Sequence, residues 1–98
     1  MSFQPLQMQI INSLAFQLEA MHYRSPLDFV TLRLMVLEII HHLMRLLVTY
    51  KDRLNLHQVL RITDKLNAIY EVIDRQPVNK YAFTETKAEL LSCVYAIK

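Results

Sequence analysis

One stretch, Leu27 to Lys51 (LDFVTLRLMVLEIIHHLMRLLVTYK), limits what this chain can fold into more than any other. Set at about 100° per residue, its polar side chains Asp28, Thr31, Glu38, His42, Arg45 and Thr49, with the following Asp52, fall in one strip roughly 120° wide. His41 sits at the edge of that strip. The remaining circumference is almost all Leu, Ile, Val, Met and Phe, roughly twice the apolar face of an ordinary surface helix. Arg33, Glu38, His41, His42 and Arg45 argue against a membrane span, because a charge at a bilayer centre costs about 2.5 kcal/mol or more. Length and periodicity argue against strands. The stretch reads as a central helix that needs two or three neighbours to cover it.

A chain of 98 residues is one domain. It buries roughly two-thirds of its unfolded surface, enough for one modest core. Hydrophobic residues nevertheless make up 53% of it. That excess points to association, and Leu34, Met35, Ile39, Leu43, Leu46 and Leu47 of the second helix are the expected contact in a homodimer.

Punctuation along the chain gives four helices. Pro5 suits a first helical turn, where its missing N–H costs nothing. A stripe of Leu6, Ile10, Leu14, Leu18 and Met21 carries helix 1 to about Tyr23. Phe3 and Met8 lie off the stripe and are expected to touch another chain. In Ser25-Pro26-Leu27-Asp28, Ser25 reads as an N-cap that accepts a free N–H, Pro26 as the first helical residue and Asp28 as a capping-box acid that reaches back; helix 2 then runs from Pro26 to about Asp52. Asn55 and Gln58 repeat that logic for helix 3, Leu56 to about Arg75. Pro77 stops it, Gln76 to Phe83 form a connection, and Thr84 or Thr86 caps a shorter helix 4. The expected fold is all-α: three longer antiparallel helices and a shorter C-terminal one. The Tyr residues lie towards helix ends or, as Tyr81, in the connection, placements that suit the rim of an interface.

Two Glu-x-x-His motifs, Glu19/His22 and Glu38/His41, stand out. The spacing is similar to that of ferritin-like di-metal bundles, which add two further carboxylates, here Glu71 and Glu89. That resemblance implies a di-metal alternative. Counted from the turn near Ser25, however, the motifs sit roughly 10 Å apart along the bundle axis, too far for one centre. No metal or other cofactor is expected. Arg33 falls on the apolar face and needs a partner. Glu19, nearly level with it across the turn, is the expected one. Glu38, His41, His42 and Arg45 form a mixed polar patch.

Other chemistries find little footing. The absence of glycine rules out Gly-rich phosphate loops. Net charge is +2 and the cations are interleaved with acids, whereas phosphate binding needs clusters. A small DNA-binding regulator is therefore a minor alternative. Cys93 reads as a small core residue on a helix. One cysteine allows no internal disulfide, and MSFQPLQMQ lacks the basic-then-apolar pattern of a secretory signal, so a cytoplasmic setting is expected. The resulting expectation is a non-enzymatic, homodimeric interaction module that occludes a surface of another protein, as a regulator, inhibitor or chaperone would. Helix 2 would make the subunit contact, and helix 3 with the following loop would meet the partner.

Overall fold

A proline before a helix supplies direction but no donor, so the start of the second helix depends on Asp28. In the computed structural model, which describes residues 5–97, the Asp28 carboxylate accepts the backbone N–H groups of Arg24 at 2.6 Å and Ser25 at 2.9 Å. Those two bonds hold the carboxyl below its ordinary value of 3.8. A lowered value favours the charged form in the folded chain. Its contribution is therefore complete above the ordinary carboxylate value and is lost as pH falls through the folded one. Thermal melts of the wild-type chain should lose stability as pH drops below 3.8, and Asp28→Asn should be less stable at neutral pH with a flatter acid limb.

Among the described residues four α-helices follow in chain order: α1 (Leu6–Ala20), α2 (Leu27–Tyr50), α3 (Leu56–Val72) and α4 (Lys80–Ile97). Single 3-10 turns, Lys51–Arg53 and Ile73–Arg75, extend α2 and α3. Each helix packs on the next, α4 closes back on α1, and α2 touches α4 across the middle. Alternating direction is fixed by the ends: Gln58, at the start of α3, donates to the Ala96 carbonyl at the end of α4 (2.7 Å). At the other end the Tyr23 hydroxyl donates to the Val78 carbonyl (3.2 Å). The result is an all-α bundle 41 Å long.

Two helix ends and one capping side chain differ from expectation, each for a tertiary reason. Helix α1 stops at Ala20, short of Tyr23, because Met21 is extended. The Lys87 ammonium of α4 donates to the Glu19 and Met21 carbonyls at 2.9 and 2.7 Å, so the end is capped from across the bundle. At α3, Asn55 does cap, accepting the Gln58 N–H at 3.1 Å. The Gln58 side chain does not reach back; it spends its amide on Ala96 instead. The largest difference is α4. Neither Thr84 nor Thr86 caps it: Asn79 does, accepting the Ala82 N–H at 2.8 Å on its side chain. Thr86 is buried, and the Thr84 hydroxyl bonds back to the Lys80 carbonyl. At 18 residues α4 is longer than α1 and α3, so the fourth helix is a full wall of the bundle.

The core runs along the axis. Ile11 and Leu18 of α1 meet Leu32, Val36, Ile39, Leu43 and Leu46 of α2, Leu66 of α3, and Leu90 and Val94 of α4, all fully buried. Near the α1–α2 turn, Tyr23, Phe29 and Phe83 form an aromatic cluster with centroids 5.7 to 5.9 Å apart. Met8, expected to touch another chain, packs on this core, as do Tyr23, Tyr50 and Tyr70. Phe3 lies outside the described residues.

Candidate interaction surface

Side chains on one helix share a face when they recur every three or four residues. On α2, Leu27, Val30, Leu34, Leu37, His41, Met44 and Val48 do so in strict alternation, three then four, and all are exposed. Leu34 is 58% accessible and Val48 74%. This is a heptad seam with a period of 3.5, the pattern that pairs one helix with another. From Leu27 to Val48 it runs about 32 Å, most of the 41 Å molecule. Thr31, Glu38 and Arg45 line one flank; Arg33, Ile40 and Leu47 line the other.

The expected subunit contact is thereby corrected. Of its six residues only Leu34 lies on the open face. Met35, Ile39, Leu43, Leu46 and Leu47 are buried by the chain's own α1, α3 and α4. The apolar circumference of α2 holds two distinct stripes: a wide inner one that fills the core, and a narrower outer one that is left exposed among the described residues. The strict three–four spacing was readable in the sequence, but wrapping the whole apolar arc as one face merged the stripes.

Arg33 also departs from expectation. Its guanidinium meets Asp74 at 3.3 Å, bonds the Tyr70 hydroxyl at 3.0 Å and stacks over the Tyr70 ring at 4.7 Å. Glu19 is exposed, and it is the Glu19 backbone that is used, by Lys87. Arg33 leans towards α3 because α3 and its 3-10 extension bring an aromatic face and a carboxylate to the same level.

The di-metal alternative finds no geometry. Glu19, His22, Glu38 and His41 are all exposed, and His22 lies beyond the end of α1, so the first motif loses its helical spacing. Among the described residues no three His, Cys, Asp or Glu side chains gather as a metal site would require. The polar patch divides. Glu38 and Arg45 flank the seam, His41 sits on it, and His42 turns half inward with its ring 5.3 Å from that of His41.

A second surface feature lies between α3 and α4, a groove of about 670 Å³. Ala68, Ala88, Ser92 and Ala96 keep it open, and Lys65 and Glu89 carry opposite charges on its walls. It shares α3 with the expected partner face; Val78 and Tyr81, in and just after the following loop, are exposed as well. Cys93 lies in the groove wall, itself buried. Burial pushes its thiol up, Lys65 opposes this and Glu89 adds to it. A thiol raised in this way stays protonated at neutral pH and is a poor nucleophile. Ellman's reagent should react slowly with the native chain at pH 7.5 and at the rate of a free thiol once denaturant is added. Rapid native labelling would show the groove open to its floor.

No known protein family, curated protein or solved structure matches the chain. No described helix is long and apolar enough to cross a membrane. The fold places the chain among all-α four-helix proteins.

Proposed function

We propose that the chain is a non-enzymatic protein–protein interaction module that works as a homodimer through the outer face of α2. The observation that carries this reading is the open heptad seam. Large contiguous apolar patches on small proteins mark contact surfaces, and this one has the period that helix pairing uses. In the dimer the seams cover one another, while the α3–α4 grooves stay free to take a helix of another protein and occlude its apolar face. A regulator, inhibitor or chaperone acts in this way. A lone, buried thiol suits a reducing compartment, so a cytoplasmic setting belongs to the proposal.

Light scattering coupled to size exclusion tests it. The expected mass is twice the 11.6 kDa of one chain at micromolar concentration, falling towards one chain on dilution. A single-chain mass at every concentration removes the reading.

A further inference from the structure

Resting on that reading, we infer that the two copies pair antiparallel along α2, with Glu38 of each opposite Arg45 of the other. The seam alone allows either direction; its flanks decide.

Helices paired in parallel set the leading flank of one against the trailing flank of the other. Arg45 of one copy then faces Ile40 of the second, which packs on its own core. Glu38 faces Arg33, already bound to Asp74 and Tyr70. A parallel pair therefore leaves one charge against an apolar side chain and makes the other compete for a partner that is taken.

Reversal changes both contacts. Like flank meets like flank, and a two-fold axis makes each contact occur twice. Glu38 and Arg45 are both exposed, of opposite sign, and one heptad apart on the same flank. About an axis near His41 and His42 they form two equivalent ion pairs. Ile40 meets the Ile40 and Leu47 stretch of the same flank on the second copy, and Arg33 keeps its own Asp74. His41 lies close to the axis, and a polar residue on an otherwise apolar seam fixes register at some cost in affinity. The surface is complementary to itself in one direction only.

Two measurements test the arrangement. Glu38→Arg and Arg45→Glu should each weaken the dimer about 10-fold, since each turns two attractions into two repulsions, and the double variant should return to within about 3-fold of wild type. Rescue by the double exchange is specific, because residues 38 and 45 are too far apart on one helix to pair within it. Circular dichroism should show the same helix content in all three. Spin labels on Arg24→Cys in a Cys93→Ser chain should lie roughly 50 Å apart, given 1.5 Å per residue from the axis. A parallel pair would hold them within roughly 20 Å, given helix spacings near 10 Å. Close labels in an intact dimer, or a double variant as weak as the singles, overturn the antiparallel arrangement and leave self-association standing. A monomeric wild type overturns both.

Discussion

Leu34→Glu combined with Met44→Glu should abolish self-association while leaving the fold of each chain intact. Both positions face outward on α2, and neither belongs to the core. In a paired seam each copy would bury two carboxylates, four across the interface, with the flanking Arg33 held by Asp74 and Arg45 by Glu38 of the other copy. Burying an unpaired charge is costly enough that affinity should fall about 100-fold or more. Within the single chain both positions reach water, Met44 less than Leu34, so the melting temperature of the dilute protein should fall only slightly. Light scattering and thermal melts on one sample separate the two effects. A double variant that stays dimeric would show that copies meet elsewhere.

Phe83→Ala should cost the most of any single truncation near the α1–α2 turn. The ring is only 2% accessible and touches both Tyr23 and Phe29. Truncating a buried aromatic removes its transfer energy and leaves a cavity, together about 3–5 kcal/mol. Aromatic pairing adds to that cost. For a chain of this length the melting temperature should drop by about 4–8 °C per kcal/mol. Phe83→Leu, which keeps most of the volume, should lose less than about 2 kcal/mol. Chemical denaturation of the three proteins measures both steps. Equal losses in the two variants would mean that packing around the ring is loose.

These predictions fall on the parts of the chain that differed most in legibility. Asp28 and Asn55 were readable because their capping bonds are local, spanning three or four residues, whereas Ser25, expected as the cap acceptor, instead donates its N–H to Asp28. The all-α class followed from periodicity alone. Phe83 was hidden because Pro77, Val78 and Asn79 look like the middle of a loop, whereas Asn79 is a cap that starts α4 four residues before the ring. The end of α1 was unreadable for a different reason: its cap is Lys87, from another helix. Arg33 shows the same limit. Its need for a partner was legible, but choosing Asp74 over Glu19 required knowing how α3 leans on α2. For the candidate surface, the residues of the seam and its flanks were all in view. What the sequence could not settle was which of two apolar stripes on one helix the remaining helices would cover.

The bond from Lys87 to the last carbonyls of α1 has a further implication for how the molecule comes into being. Translation supplies the opening helix first and its closing partner last. A nascent polypeptide halted before α4 would keep the packing of α1 on α2 but leave one side of Ile11 and Leu18 uncovered and the end of α1 uncapped. The first three helices can pack as they emerge, but the bundle cannot close without α4. Its closure waits for α4, and a product clipped before that helix should be cut by proteases faster along α1 than the intact chain is.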